Sequence, residues 1–149
     1  MRDDREELLF LVFDAFQLVD QRGLALSVRD IVERYVQATR EEGRHEFSVE
    51  APEALTVTAD QARIEQMLMN LIGNAVKYSP RGGKVRVSLA RQDGAAEITI
   101  EDEGIGIPSE DLPRLGGPFT RGSGKASTFA GMGIGLHVAK LLSEAHGGS

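Results

Sequence analysis

Cysteine, a surplus of basic residues and a long hydrophobic run are all missing from this 149-residue sequence. Without cysteine there is no disulfide, no thiolate catalysis and no Cys-ligated zinc or iron–sulfur centre, so any metal site must use oxygen ligands. The net charge of −6 argues against a surface that binds nucleic acid or anionic lipid through bulk charge. Any phosphate-binding site must therefore be formed by a few residues at one place rather than by overall positive charge.

The most apolar stretch, from Leu8 to Val19, is interrupted by Asp14 and Gln17. It is shorter than the roughly 20 apolar residues that span a bilayer, and acidic pairs precede it, so we expect neither a membrane span nor a signal peptide. We expect a cytoplasmic chain. Residues 3–20 are predicted to form a helix, and its apolar seam leaves two alternatives open: packing on its own domain or pairing with a partner helix.

The hydrophobic pattern predicts one mixed domain with a long glycine-rich loop. The helix that follows Asp60 has the clearest apolar stripe, and the last helix is predicted to bury a second one. The predicted elements are a helix over 27–42 capped by Ser27, strands over 45–50 and 55–58, a helix over 60–79, strands over 84–89 and 96–101, a loop over 103–130 and a final helix from among Gly131, Gly133 and Gly135 to Gly147. The predicted stripes are Ile64, Met67, Leu68, Leu71, Ile72, Ala75 and Val76 on the earlier helix, and Ile134, Val138, Leu141, Leu142 and Ala145 on the last.

Three polar side chains share one edge of the helix that follows Asp60. Asn70, Asn74 and Lys77 fall within about 60° of one another around the helix axis, beside the apolar stripe. An amide oxygen can ligate a hard cation such as Mg²⁺, and lysine adds a point charge for phosphate oxygens. A solvated polar edge is the alternative for this feature taken alone.

A carboxylate followed by two glycines stands directly after the last predicted strand. Residues without Cβ at Gly104 and Gly106 let a planar group approach the backbone closely, and Asp102 could accept a hydrogen bond from the amino group of adenine. Guanine would present an acceptor there, and a bond to a charged acceptor contributes about 1.5 to 3 kcal/mol. An ordinary glycine turn is the alternative.

The third feature is GMGIGL at the start of the last helix, where free backbone N–H groups and the helix dipole favour phosphate. Two better-known phosphate motifs do not fit. A dinucleotide fingerprint would need glycine at Leu136, and a P-loop ending at Lys125 would need glycine at Phe119 and a hydroxyl side chain at Ala126.

The order of these motifs is more specific than any one of them. NLIGNAVKYSP, DEGIGIP, PFTRG and GMGIGLHVAKLLSEAHGG resemble the N, G1, F and G2 boxes of the histidine-kinase ATP-binding domain, a branch of the GHKL superfamily. The resemblance covers about residues 27–148. It implies an α+β, two-layer α/β sandwich of the Bergerat type, with helices on one face of a mixed sheet. It also implies a helical segment over 1–22, the end of a dimerisation helix or a linker, before an ATP-binding domain over 23–149.

The resemblance also implies roles for individual residues and for ATP and Mg²⁺ as cofactors. Asn74 would ligate Mg²⁺, Asn70 and Lys77 would contact phosphate, and Asp102 would bind adenine. Asn70, Lys77 and Arg121 are the expected catalytic residues. The remaining expected nucleotide contacts are Tyr78, Gly104, Gly106, Ile107, Phe119, Gly131, Gly133, Gly135 and Leu136.

The implied reaction is donation of the γ-phosphate to a histidine on the dimerisation and phosphoacceptor domain of the same kinase, with a response regulator downstream. Homodimerisation is expected through the N-terminal helix or an exposed sheet edge, and nucleic acid is not expected as a partner. Two alternatives remain: a nucleotide-binding regulatory or scaffold module, and another GHKL ATPase or serine kinase. Asn70 stands where ATP-hydrolysing members such as gyrase carry glutamate, and an amide is a poor base.

Three departures from the family pattern stand out. The family's phosphoacceptor motif is absent, because His45-Glu46 falls in a predicted strand and His137 and His146 are expected to be structural. The last strands of the sheet are expected to be missing, which would expose a sheet edge. Gly116-Gly117 stands where an aromatic and an acidic residue are common.

Overall fold

The computed structural model describes residues 25–39, 43–50, 56–58, 60–92, 95–119, 133–145 and 147. The predicted helix over 3–20, and with it the N-terminal segment 1–22, lies outside the described residues. Arg121, Lys125, Gly131 and His146 also lie outside them. None of the described helices combines the length and apolar character that crossing a bilayer requires.

The elements follow the predicted order closely. In chain order they are β1 (Ala25–Ser27), α1 (Val28–Thr39), β2 (His45–Glu50), β3 (Thr56–Thr58), α2 (Gln61–Lys77), β4 (Gly83–Gln92), β5 (Ala95–Asp102), a short 3-10 helix (Leu112–Arg114) and α3 (Gly135–Ala145). Ser27, predicted to cap the first of these helices, is instead the last residue of β1 and pairs with Thr56. The predicted loop over 103–130 contains the 3-10 helix.

The main sheet has the order β2-β4-β5 and is mixed. β4 and β5 pair antiparallel, as the Asp93-Gly94 turn between alternating segments predicts, and Val87 lies opposite Ile100. β2 runs parallel to β4, with Phe47 opposite Val85. β1 and β3 form a separate antiparallel pair. Among the described strands none pairs with the outer edge of β5.

The core lies between α2 and one face of this sheet. Alternate residues of β4 and β5 point inward, and α2 covers them with its predicted apolar stripe; burying one such side chain contributes about 1.5 to 3 kcal/mol. Only Val76 of that stripe is partly exposed, and it still packs on the core. The buried residues of these three elements are Ile64, Met67, Leu68, Leu71, Ile72, Ala75, Val85, Val87, Leu89, Ala96, Ile98 and Ile100.

α3 packs against α2 with part of its predicted stripe, since Leu142 is buried and Val138 packs on the core. Ala139, Leu142 and Ser143 are buried, whereas Leu141 is 49% exposed and Ala145 is also exposed. The predicted burial of Leu141 and Ala145 is therefore wrong. The helix is turned so that small side chains lie against the rest of the domain, which permits close approach of the two helices.

Candidate functional site

Helix α2 carries the first group of predicted site residues, and its two ends are well defined. The Asp60 side chain accepts a hydrogen bond from the Arg63 amide at 3.3 Å, which caps the helix as the sequence predicts. Asn70, Asn74 and Lys77 are all half-buried, next to the buried stripe. The core packing of α2 therefore fixes the edge on which these three side chains lie.

Lys77 and Tyr78 contact each other where α2 ends. The Lys77 Nζ lies 3.2 Å from the Tyr78 hydroxyl oxygen and 4.6 Å from the centre of its ring. A cation within about 6 Å of an aromatic ring centroid is attracted by the ring quadrupole. The ammonium group and the aromatic ring thus form one unit at the end of the helix.

Asp102 is a buried carboxyl group at the end of β5. It is 7% exposed, and its Oδ1 accepts hydrogen bonds from the Gly104 amide at 2.8 Å and from the Ser79 hydroxyl at 3.5 Å. Burial raises the pKa of Asp102 above its usual value of 3.8, and the hydrogen bonds from Gly104 and Ser79 partly oppose that rise. The structure therefore keeps a fixed acceptor in a site that water reaches poorly.

Gly104 lets the loop after β5 lie directly against the end of α2. A Cβ at this position would lie 2.4 Å from the Tyr78 carbonyl oxygen and 2.5 Å from the Asp102 Oδ1. The next amide, that of Ile105, donates to the same Tyr78 carbonyl at 2.9 Å. Gly106 has a φ of 69°, a conformation that glycine adopts at little cost. Two predicted motifs are thus brought into contact through backbone atoms.

The start of α3 lies beside one end of the Asn edge, which is the side of α2 that carries Asn70, Asn74 and Lys77. A Cβ on Gly135 would lie 3.6 Å from the Asn70 Oδ1, so the first residue of α3 stands beside that amide. Gly133 has a φ of 70°, and Leu136 packs against the core. The structure therefore brings the Asn edge of α2 together with the loop after β5 at one end and with the start of α3 at the other.

The remaining predicted residues are less closely assembled. Ile107 is half-buried in the loop after β5, and Phe119 is 73% exposed with a φ of 58°, which is uncommon for a residue other than glycine. Arg121 and Gly131 fall outside the described ranges.

Ser79 is a site residue that the sequence reasoning missed. Its side chain is 2% exposed and donates to Asp102, and its carbonyl accepts a hydrogen bond from the His45 Nε2 at 3.0 Å. A small hydroxyl residue directly after the helix was the available signal, but it also suits an ordinary helix end. His45 is thus engaged in a structural contact with the end of α2.

A cavity of about 450 Å³ also lies against the end of α2. It opens toward the start of β2, and Lys77 is its one predicted site residue. The lining residues are Arg44, His45, Val76, Lys77, Ser79 and Pro80. Because Asp102 and the glycines do not line it, this cavity is a neighbour of the candidate site rather than its centre.

The donor set suits a nucleotide bound together with a hard cation. Within the described ranges, no group of three or more His, Asp or Glu side chains is placed to hold a metal ion. The oxygen beside the start of α3 is the side-chain amide oxygen of Asn70, a type of ligand that Mg²⁺ accepts alongside phosphate oxygens. Gly104 lets the loop after β5 approach Asp102 and Tyr78 more closely than any residue with a Cβ could.

Comparison with known proteins matches the part of the chain that contains these site residues. A family model described as "Histidine kinase-, DNA gyrase B-, and HSP90-like ATPase" matches residues 59–149. The chain is 41% identical over 97 residues to the histidine protein kinase DivJ of Caulobacter vibrioides, covering 65% of this chain and 16% of that protein. It is 38% identical over 122 residues to the sensor histidine kinase WalK of Bacillus subtilis, covering 79% and 20%. The chain thus spans about a fifth or less of these relatives.

Solved structures give the same fold. The mycobacterial sensor histidine kinase MprB matches with a TM-score of 0.74 and 29% identity, covering 85% of this chain and 82% of that one. The catalytic domain of the histidine kinase ThkA matches with a TM-score of 0.70 at 24% identity, which supports the fold alone. The predicted α/β sandwich is confirmed. With its family model covering 59–149 and its motifs meeting along α2, the chain belongs to the histidine kinase-, DNA gyrase B- and HSP90-like ATPase family.

Proposed function

We propose that this chain binds Mg·ATP along the Asn edge of α2 and donates the γ-phosphate to a histidine on the dimerisation and phosphoacceptor domain of its own kinase. The observation that supports this most directly is the buried carboxyl group of Asp102, held by Gly104 and Ser79 next to the end of α2. A buried hydrogen-bond acceptor followed by a glycine-containing loop suits a flat ligand with an amino group.

The base would bind at the β5 end of the site. Asp102 would accept a hydrogen bond from the adenine amino group, whereas guanine would place an oxygen acceptor there and be repelled. Gly104, Gly106 and Ile107 would line the base pocket, and Tyr78 would pack near the ring. Since Asp102 is held by two donors before any ligand binds, little rearrangement would be needed.

The phosphates would extend along α2 toward α3. Asn74 would hold Mg²⁺, which would supply positive charge to the triphosphate, while Asn70 and Lys77 would contact phosphate oxygens directly. The backbone amides of Gly133, Gly135 and Leu136 at the start of α3 would face the same phosphates. The family resemblance adds Gly131, Phe119 and Arg121 to this end, with Arg121 as a cation for the transferring group.

Transfer is favoured over hydrolysis by the side chain at Asn70. An amide has no useful basicity near neutral pH, so it cannot activate water as a carboxylate would. Its proximity to Gly135 makes it a contact for phosphate rather than a base. The site would therefore hold ATP until an acceptor histidine arrives.

The family resemblance also supports a proposal for the place of this chain within a kinase. Residues 1–22 would form the end of the dimerisation helix or a linker, and residues 23–149 would form the ATP-binding domain, in a cytoplasmic part of a kinase that phosphorylates a response regulator. Homodimerisation would occur through the N-terminal helix or the outer edge of β5, and nucleic acid is not a proposed partner.

Calorimetric titration of Mg·ADP into the full 149-residue chain tests nucleotide binding, with Mg·GDP as the matched ligand. We expect saturable binding of Mg·ADP and at least tenfold weaker binding of Mg·GDP, as about 1.5 kcal/mol or more from Asp102 requires. A folded chain that binds neither nucleotide, or both equally, would contradict the proposal. Incubation with γ-labelled ATP and the phosphoacceptor domain then separates a kinase, which labels histidine, from a binding module, which does not.

A further inference from the structure

The imidazole of His137 joins α3 to the loop that follows the 3-10 helix. Its Nδ1 lies 2.7 Å from the carbonyl oxygen of Gly116, and the ring is half-buried. A carbonyl oxygen only accepts hydrogen bonds, so Nδ1 must carry the proton and donate. The contact therefore fixes which ring nitrogen is protonated as well as where the ring lies.

Gly116 is closely fitted to the surface of α3. It has a φ of 77°, and a Cβ at this position would lie 3.0 Å from the Cδ of Lys140. His137 and Lys140 are three residues apart in α3 and so lie on the same side of the helix. The backbone of Gly116 thus lies close to two side chains of the helix, those of His137 and Lys140.

The same helix begins at the phosphate end of the proposed site. His137 is two residues after Gly135, which stands beside the Asn70 amide. The amide of Val138 donates to the Ile134 carbonyl at 2.8 Å, so the first turn is already hydrogen-bonded at His137. Ala139 anchors the opposite side of the turn in the core. Because His137 lies in this turn, the hydrogen bond that holds its ring also restricts the orientation of the amides at the start of α3.

We propose that His137 is a positioning residue for phosphate binding, because its hydrogen bond to Gly116 sets the orientation of the first turn of α3. This inference rests on the proposed function, since it concerns the phosphate end of that site. Removing the donor would let the first turn reorient. Affinity for phosphate-bearing nucleotide would then fall, while affinity for the adenine end, which Asp102 and Gly104 define, would be retained.

Two substitutions separate the hydrogen bond from the volume of the ring. His137→Leu removes the donor, whereas His137→Asn places an amide nitrogen at the same number of bonds from the backbone as Nδ1. Lys140→Ala is the matched control, because it removes the other side chain that contacts Gly116 without removing this hydrogen bond. Each full-length variant is titrated with Mg·ADP and, by competition, with adenosine.

We expect His137→Leu to bind Mg·ADP about three- to tenfold more weakly, the loss of one hydrogen bond, with adenosine affinity within about twofold of the parent. His137→Asn and Lys140→Ala should bind both ligands as the parent does. An equal loss for both ligands, no loss, or failure of asparagine to restore binding would overturn the inference while leaving the proposed function intact. If the parent binds neither ligand, the proposed function itself fails and the inference with it.

A spectroscopic measurement keeps the inference testable if His137→Leu does not fold. Long-range proton–nitrogen correlation spectra of the ¹⁵N-labelled parent distinguish the two neutral imidazole forms and the doubly protonated one. A ring with hydrogen on Nδ1 supports the contact with Gly116. A ring with hydrogen only on Nε2 cannot donate to that carbonyl, and it would overturn the proposal.

Discussion

Replacing Asp102 by asparagine should weaken nucleotide binding and stabilise the empty domain at the same time. Asparagine keeps an oxygen that can accept from the Gly104 amide, so the local structure is preserved. With that oxygen turned to Gly104, an amide nitrogen takes the place of Oδ2 and cannot accept a hydrogen bond from the adenine amino group. A hydrogen bond to a charged acceptor contributes about 1.5 to 3 kcal/mol, so the affinity for Mg·ADP should fall by about 10- to 150-fold.

The stability change follows from the pKa of the same carboxyl group. Burial raises the pKa of Asp102 above 3.8, so the folded chain keeps this proton to higher pH than the unfolded chain. Between the two pKa values the folded state binds more protons, and its stability therefore falls as pH rises through that interval. Below 3.8 both states are protonated, and the contribution of this group is at its most favourable.

Urea unfolding of both chains between pH 4 and pH 7 measures this effect. Asparagine does not titrate, so the free energy of unfolding of Asp102→Asn minus that of the parent should become more positive as pH rises. The contributions of the other titrating groups cancel in that difference, and the m-values should agree. A difference that is constant with pH, or one that becomes negative toward pH 7, would refute the argument that burial controls this carboxyl group.

Three further predictions follow from the same contacts. Gly104→Ala should lower the free energy of unfolding by about 1 to 3 kcal/mol, because its Cβ would lie 2.4 Å from a backbone carbonyl oxygen; a change within experimental error would contradict this. Ser79→Ala should weaken Mg·ADP binding about two- to tenfold by removing a donor to Asp102, and calorimetry that shows unchanged affinity would argue against that role. Leu68→Ala should cost about 2 to 5 kcal/mol in urea unfolding, whereas Arg34→Ala, which breaks an exposed ion pair, should cost about 0.5 kcal/mol or less; similar costs for the two would be inconsistent with the described core.

The sequence predicts α2 and the β4–β5 hairpin well because their signals are local. The cap at Asp60 and the stripe from Ile64 onward lie within one helix, and each turn repeats the pattern. The Asp93-Gly94 dipeptide between two alternating segments predicts the antiparallel pairing that β4 and β5 show. In these elements the residues that determine the structure are neighbours along the chain.

The orientation of α3 could not be predicted in the same way. Leu141 is as apolar as Leu142, and only the position of α2 decides which of the two is buried. The buried line includes Ala139 and Ser143, whose small side chains give a weak hydrophobic signal. Which face of a helix is covered depends on the shape of its partner, and a periodicity argument contains no information about that shape.

In the candidate site, too, local motifs could be predicted from the sequence, whereas contacts between distant residues could not. The motifs containing Asn70, Asp102 and Gly104 can be recognised one by one, because each is a short run of residues. The contact between Ser79 and Asp102 joins residues 23 positions apart and depends on the loop after β5 lying against the end of α2. A buried Asp111 beside Arg114 was likewise not predicted, since an aspartate in a loop is usually exposed.

The parallel pairing of β2 with β4 imposes a delay during synthesis. His45 pairs with Gly83, so each residue of β2 must wait for a partner that is made 38 positions later. At about 5 to 20 residues per second, that wait lasts about 2 to 8 s. Phe47 is without its strand partner throughout that time, whereas β4 and β5 can pair almost as soon as both are made. Until β4 is made, the side chain of Phe47 is thus available for a chaperone to bind.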